Sequence, residues 1–140
     1  GTRDMITRVL SQLVRARFNT GTMRVQGPEN KLDFSNVVDV ANAFATCAVN
    51  PHAKNEIFNC TRGQGRPILE AAEMIQSRIG GKILTLPHDE FYPNRDTLCS
   101  DKLQELTDWR PTVDIEQGIP EYLDWILEQP YIKAMPLYQS

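Results

Sequence analysis

The amino-acid sequence predicts a single domain of the mixed α/β class. Its 140 residues, 41% of them hydrophobic and 24% charged, are ordinary for one soluble globular domain. Stretches with apolar residues at helical spacing alternate with short strand-like stretches bounded by glycine, proline and asparagine. We detect no internal repeat and no linker. The whole of residues 1–140 is therefore expected to fold as one unit, with residues 131–140 as a loose tail.

The first part of the chain predicts one helix and two strands. Apolar residues from Met5 to Phe18 fall on one helical stripe, Asp4 can cap its N-terminus, and Gly21 can end it. Short strands at 23–25 and 31–34 flank a Gly-Pro-Glu-Asn turn. This pattern predicts a hairpin.

The middle of the chain predicts two helices around a short strand. Asp39 is positioned to cap a helix over residues 40–49, and the apolar run at 57–59 indicates a short buried strand. Pro67 suits the first turn of a helix over 68–79, because its missing amide would have no partner there. A glycine pair closes that helix.

The last part predicts a strand, a long loop and two helices. Lys82 to Leu86 has the composition of a strand, and residues 87–98 that of a loop. Ser100 can cap a helix that ends near an aromatic-proline segment, and Asp114 can cap the last one. Pro120 lies beyond the first turn of this last helix, where proline is costly, so we expect a kink or a late start.

Four motifs occur in order over most of the chain. They are Asp33-Phe34-Ser35-Asn36-Val37-Val38-Asp39-Val40-Ala41; Thr61-Arg62-Gly63-Gln64-Gly65-Arg66; Phe91-Tyr92-Pro93-Asn94-Arg95-Asp96-Thr97-Leu98; and Ser100-Asp101-Lys102-Leu103 followed by Trp109-Arg110-Pro111 and Glu116-Gln117-Gly118-Ile119. Together they resemble the C-terminal part of NAD-dependent nucleotide-sugar epimerases and dehydratases, which are extended short-chain dehydrogenases/reductases. The resemblance implies the small substrate-binding lobe of such an enzyme, without the Rossmann dinucleotide-binding half.

Two elements that the family's chemistry requires are missing from the sequence. No glycine cluster continues into the dinucleotide-binding fingerprint. The resemblance also implies a catalytic tyrosine with a lysine four residues later, and no tyrosine has one: Tyr92, Tyr122, Tyr131 and Tyr138. We therefore predict no catalytic and no cofactor-binding residue here, and NAD(P) is implied only for a parent enzyme.

Three residues are candidates for binding a nucleoside-diphosphate sugar. Arg95 stands where the resembling subgroup keeps an arginine, and a guanidinium can fork onto phosphate oxygens. A structural ion pair with a neighbouring acid is the alternative for Arg95. The family's second arginine is replaced by Leu32, so Lys31 is the nearest cation, although strand neighbours face opposite ways. Gln26 stands where the family often has an aromatic residue, and it could hydrogen-bond to a base.

The Thr61-to-Arg66 motif has two interpretations. A glycine loop before a helix could hold an anion on free helix amides, with Arg62 and Arg66 adding positive charge. A tight turn carrying solvated arginines is the simpler interpretation, and we favour it. No metal site is predicted, since the cysteines and histidines lack ligand spacing and His88 is expected to pair with Asp89.

Charge and hydropathy limit the partners. The net charge is -3, although the first segment is rich in arginine, and no nucleic-acid motif accompanies those arginines. No apolar run reaches bilayer-spanning length and no signal peptide is recognisable. We predict a cytoplasmic protein that binds neither nucleic acid nor membrane and that forms homo-oligomers.

Three classes of function remain open at this point. The first is the substrate-binding portion of an NAD(P)-dependent epimerase or dehydratase, which is not catalytic alone and works with a missing Rossmann domain. The second is a stand-alone, non-catalytic module that binds a sugar nucleotide weakly or docks on a partner supplying that domain. The third is a decayed remnant without a ligand, which the leucine at position 32 would suit.

Overall fold

A computed structural model of the chain describes residues 8–91 and 97–133. The helices are α1 (Val9–Thr20), α2 (Val37–Val49), α3 (Ile68–Ile79), α4 (Asp101–Thr107), α5 (Ile115–Leu127) and α6 (Pro130–Lys133). The strands are β1 (Thr22–Gln26), β2 (Lys31–Asp33), β3 (Gly65–Pro67) and β4 (Lys82–Leu86), and a 3-10 turn covers Pro51–Ala53. Helices and short strands are interspersed along the chain, with three helices in succession at its C-terminal end.

The main core lies between β1 and the helices α1, α3 and α5. Met23 and Val25 project from the same face of β1 and are almost completely buried. The other fully buried members include Val14, Ala71, Ala72, Ile75 and Leu123. The apolar stripes that predict these helices are therefore the faces that they bury.

The strand pairing differs from the predicted hairpin. β1 pairs in parallel with β4, from Thr22 opposite Lys82 to Gln26 opposite Leu86, and β2 pairs antiparallel with β3. The turn exists, since the Asn30 amide donates to the Gly27 carbonyl at 2.8 Å, but the Gly27 amide donates to β4. The hairpin prediction is wrong because β1 pairs with β4, and the Gly27 amide continues that pairing while β2 pairs with β3.

The structure tests three predictions about helix termini. Asn36, not Asp39, caps α2: its side chain accepts a hydrogen bond from the amide of Val38 at 2.8 Å. Asp114 caps α5 as predicted, accepting from the Gln117 amide at 3.0 Å. The late start expected from Pro120 does not occur, because α5 begins at Ile115 and continues through the proline.

A second, smaller cluster lies apart from the main core. Its buried members are Ala43, Leu103 and Trp109, with Cys47, Phe58 and Cys60 packed against them. The strand predicted at 57–59 is wrong, because those residues pair with no described strand and Ile57 is 88% exposed. The strand of this part of the chain is β3 instead, whose glycine and proline do not predict a strand.

The C-terminal segment enters the main core at α6. Ile132 is buried there at 4% exposure, and residues 134–140 lie outside the described range. None of the helices in the described ranges combines the length and hydrophobicity that crossing a bilayer requires.

Candidate functional site

The carboxylate of Asp33 gathers hydrogen bonds from three separate segments. Its Oδ1 accepts from the Ser35 hydroxyl at 2.7 Å and the Arg62 amide at 3.2 Å. Its Oδ2 accepts from the Gly63 amide at 2.8 Å, the Thr97 hydroxyl at 2.5 Å and the Thr61 hydroxyl. One side chain at the end of β2 thus fixes both the 61–63 turn and Thr97.

These donors hold Asp33 in its ionised form. Burial alone would raise the pKa of Asp33, but the hydrogen bonds from Thr61, Thr97, Ser35 and Gly63 outweigh it. The pKa of this carboxyl therefore lies below its usual value, because every donor favours the charged acceptor.

Lys31 lies on the same face of β2 as Asp33. A side-chain carbon added at Gly65 would come within 3.3 Å of the Lys31 Cβ and 3.9 Å of the Thr97 Cβ, so these two side chains flank the glycine. The β2–β3 register contains no bulge, and Leu32 faces the other side, opposite Arg66. The Lys31 side chain therefore points to the opposite face of β2 from a side chain at position 32 and cannot substitute for an arginine there.

The other two candidate residues have different outcomes. Gln26 ends β1, and its side-chain amide donates to the carbonyl of Pro87 across the parallel pair. Arg95 lies outside the described residues. Its neighbour Thr97 is described and is fixed by Asp33. The structure therefore brings Lys31 to the Asp33 cluster and places Gln26 at the end of the other sheet.

The first two helix amides after the Thr61-to-Arg66 turn are not available to an anion. The first amides of α3 are already bonded: Ile68 donates to the Asn30 carbonyl at 3.0 Å and Leu69 to the Pro28 carbonyl at 3.1 Å. The Gly63 amide is bonded to Asp33. The tight-turn interpretation accounts for all three amides.

The two arginines of this turn are partly buried and not fully solvated, which corrects that part of the prediction. The Arg66 side chain is 19% exposed and donates to Glu70, at 2.8 Å from Nε, and also to Glu116. The hydrogen bonds from Arg66 lower the pKa of both Glu70 and Glu116. This ion-paired arginine ties β3 to α3 and α5.

Arg62 lies partly buried beside a narrow crevice. The crevice is lined by Ser35, Asp39, Val40, Cys60, Thr61, Arg62, Trp109 and Pro111. The Nη1 atom of Arg62 is buried without a hydrogen-bond partner, and its charge helps to lower the pKa of Asp39. Arg62 therefore acts here as a charge next to a buried carboxylate.

Asp39 is a second carboxylate with a full set of donors. Its Oδ1 accepts the amide of Thr112 at 2.9 Å and its hydroxyl at 2.8 Å, and its Oδ2 accepts the amide of Val113 at 3.0 Å. Burial would raise the pKa of Asp39, but these donors outweigh it and the net pKa is lowered. The Asp39 carbonyl also accepts from the Trp109 indole at 3.0 Å. Asp39 thus joins α2 to the segment before α5.

Sequence reasoning quoted both aspartates within a motif but assigned neither of these roles. The sequence predicts Asp39 as a helix cap, because it precedes an apolar run, and indicates no particular role for Asp33. The signal that could have revealed Asp33 is weak. It consists of hydroxyl residues, Thr61 and Thr97, whose distance in sequence from Asp33 hides their convergence.

The remaining polar residues offer no metal site within the described ranges. No group of three histidine, cysteine or acidic side chains that could bind a metal occurs in residues 8–91 and 97–133. The Nδ1 atom of His88 lies 3.1 Å from the Asn30 side-chain oxygen, so the predicted pairing with Asp89 is wrong. Asp89 accepts instead from the Phe91 amide at 3.0 Å.

Solved structures of other proteins share this arrangement of helices and strands. An epimerase from Methanothermobacter thermautotrophicus superimposes with a TM-score of 0.82 at 19% identity, covering 92% of this chain and 40% of the other. The UDP-glucuronic acid 4-epimerase from Bacillus cereus, solved with UDP-glucuronic acid and NAD, gives a TM-score of 0.80 at 17% identity, over 91% and 42% of the two chains. This chain has the fold of an epimerase/dehydratase C-terminal lobe. The mixed α/β fold predicted from the sequence is thereby confirmed.

The similarity is also visible in sequence. A probable UDP-glucuronate 4-epimerase from Rhizobium meliloti (strain 1021) is 27% identical over 97 residues, which is 68% of this chain and 28% of the relative. No family model matches the chain. The chain thus spans less than a third of this curated relative and about two fifths of the solved structures.

Proposed function

We propose that this chain is the substrate-binding portion of an NAD(P)-dependent nucleotide-sugar epimerase or dehydratase. The observation that carries the proposal is the Asp33 cluster, which holds Thr97 near Gly65, where the Lys31 side chain also lies. It occurs on a fold shared with an enzyme solved in complex with UDP-glucuronic acid. A nucleoside-diphosphate sugar is therefore the ligand class that we assign to it.

The ligand's diphosphate is the group that the cationic side chains suit. The Lys31 ammonium supplies a point charge, and Arg95, two residues before Thr97 in the sequence, supplies a guanidinium able to bind two oxygens. Gln26 can hydrogen-bond to a base once its amide leaves the Pro87 carbonyl. Binding these remote groups would orient the sugar for chemistry elsewhere.

The occupied amides at the glycine turn support assigning the dinucleotide to another part of the enzyme. A pyrophosphate needs free amides where a glycine turn meets a helix, and the amides of Gly63, Ile68 and Leu69 all have partners within the chain. We therefore propose that NAD(P), which would accept and return the sugar's hydride, is held by a Rossmann domain outside the described residues. No step of that chemistry is assigned to this chain.

Saturation-transfer NMR with UDP-glucuronic acid tests the proposal. We expect millimolar affinity, about 4 kcal/mol, because the arginine that the resemblance implies at position 32 is replaced by leucine. Lys31→Ala and Arg95→Ala should each reduce the transferred signal several-fold. Lys82→Ala is the matched control for Lys31, since both are exposed lysines that begin a strand, and Arg24→Ala is the control for Arg95.

Three outcomes would contradict parts of this proposal. If neither UDP-glucuronic acid nor another nucleoside-diphosphate sugar gives a signal at millimolar concentration, the result would favour a decayed remnant without a ligand. The apolar Leu32 is consistent with that interpretation. If the signal is unchanged in Lys31→Ala and Arg95→Ala, the chain binds the ligand but these residues do not form its site. Micromolar binding of NAD or NADP would refute the assignment of the cofactor to another domain.

A further inference from the structure

Two of the three cysteines pack against the same small cluster of buried side chains. Cys47 lies on the inward stripe of α2, one turn after Ala43 and two turns after Asp39, which are the buried residues of that helix. Cys60 belongs to a different segment and packs against the same cluster. Both thiols are free and partly buried, so a small reagent can reach them.

The segment that ends at Cys60 turns this side chain towards α2. Exposure alternates along the segment, with Ile57 and Asn59 outward and Cys60 inward. Cys60 also lines the narrow crevice together with Asp39 of α2. The Cys60 side chain therefore faces the side of the helix that carries Cys47.

The sulfur of Cys47 influences the thiol of Cys60. Burial raises the pKa of Cys60 most, followed by the charge of Cys47 and then by that of Asp39. Cys47 thus has a larger effect on Cys60 than a carboxylate that lines the same crevice. Because such an effect falls off with distance, it supports the proximity of the two sulfurs that the packing indicates.

The third cysteine lies on the other side of the segment. Asn59, which points away from Cys60, donates from its side chain to the Cys99 carbonyl at 3.2 Å. The Cys99 sulfur accepts the Asp101 amide at 3.4 Å, and Cys99 is exposed. Cys99 is therefore a comparison thiol that does not share the small cluster.

We propose that Cys47 and Cys60 form a redox-sensitive pair, which a small-molecule disulfide oxidises to an intramolecular disulfide. The thiolate of one cysteine attacks a sulfur of glutathione disulfide, which forms a mixed disulfide and releases one glutathione thiolate. The thiolate of the other cysteine then attacks the protein sulfur of that mixed disulfide and releases the second glutathione. Two electrons pass from the cysteines to the oxidant, and the two thiol protons end on the released glutathiones.

The new bond joins α2 to the segment that leads into the 61–66 turn. The small cluster contains few buried side chains, so the non-covalent contacts that hold α2 against this segment are limited. A disulfide removes conformational freedom from the opened state and thereby stabilises the closed one. We expect the amides of α2 to exchange with solvent about tenfold more slowly, or slower still, in the oxidised chain, and those of α3 to be unchanged. The pair acts on the fold and is independent of the proposed ligand.

Mass spectrometry of the folded chain tests the pair directly. Cys99→Ser removes the exposed thiol, and incubation of this variant with glutathione disulfide should give a product lighter by the mass of two hydrogens. That product should contain no thiol for iodoacetamide to alkylate, and its proteolytic digest should contain one peptide pair joined through Cys47 and Cys60. Cys47→Ser and Cys60→Ser in the same background should each give only a glutathione adduct or an alkylated thiol. Circular dichroism of the reduced variants checks that all of them are folded.

Three results would overturn the proposal. Glutathione adducts on both Cys47 and Cys60, without a bond between them, would show that the two sulfurs cannot meet in the folded chain. A disulfide from Cys99 as the main product of the unsubstituted chain would show that the pair is assigned wrongly. Exchange of the α2 amides at the same rate before and after oxidation would show that the bond does not stabilise this part of the fold.

Discussion

Asp33 and Asp39 belong to one sequence motif but organise different regions of the molecule. Asp39 is 3% exposed and accepts part-buried hydrogen bonds from the amides of two consecutive residues, Thr112 and Val113. Asp33 is partly exposed and accepts from residues of three segments. The comparison teaches that an aspartate's role depends on whether the aspartate itself is buried between two elements or lies near solvent among turn groups.

The largest expected effect comes from Asp39→Asn. The substitution turns an NH₂ group of a buried side chain towards amide donors, so we expect the free energy of unfolding to fall by about 3 kcal/mol, the cost of losing a buried, charged acceptor. Urea denaturation at neutral pH measures this. Glu105→Gln in α4 is the control, because Glu105 is exposed, and an equal loss in both variants would contradict the buried-acceptor account.

A smaller loss of stability is expected from Asp33→Asn. We expect about 1–2 kcal/mol, because water can reach part of this cluster and replace some of the lost hydrogen bonds. Amide chemical shifts should change chiefly at Ser35, in the 61–63 turn and at Thr97. Shifts spread through α3 and α5 instead would show that Asp33 supports the main core, as Asp39 supports the small one.

The smallest effect is expected on the acid sensitivity of the fold. Both aspartates have folded-state pKa values below the unfolded value of about 3.9, so their stabilisation is present above that pH and is lost as pH falls through the folded pKa. Each is one of 18 acidic residues. Urea denaturation between neutral pH and pH 3 should therefore show a slightly shallower decline in either Asp→Asn variant, and a steeper decline would contradict the sign of the shift.

The sequence predicts the helices better than the strand pairs, for a physical reason. A stripe such as Ala71, Ala72 and Ile75 is local, and it buries the same face wherever the helix lies. A strand's partner is not local. β1 pairs with β4 some 60 positions later, and the Gly27 turn that suggested a hairpin serves to separate β1 from β2.

The candidate site was predictable in part for the same reason. Lys31 follows from the resemblance, and its face follows from strand geometry, whereas the convergence of Thr61, Thr97 and Asp33 depends on how distant turns meet. β3 was missed because glycine and proline are disfavoured in strands. Neighbouring residues in sequence therefore could not reveal the cluster.

The division of the interior into a large and a small cluster has a consequence for how the molecule loses structure. The small cluster has three fully buried residues, so few apolar contacts resist its opening. Opening it would release α2 and residues 57–60 together while β1, α3 and α5 stay folded around the main core. The chain then behaves as two cooperative units of unequal stability, and amides in the α2 region exchange with solvent through a partial opening that leaves the rest intact.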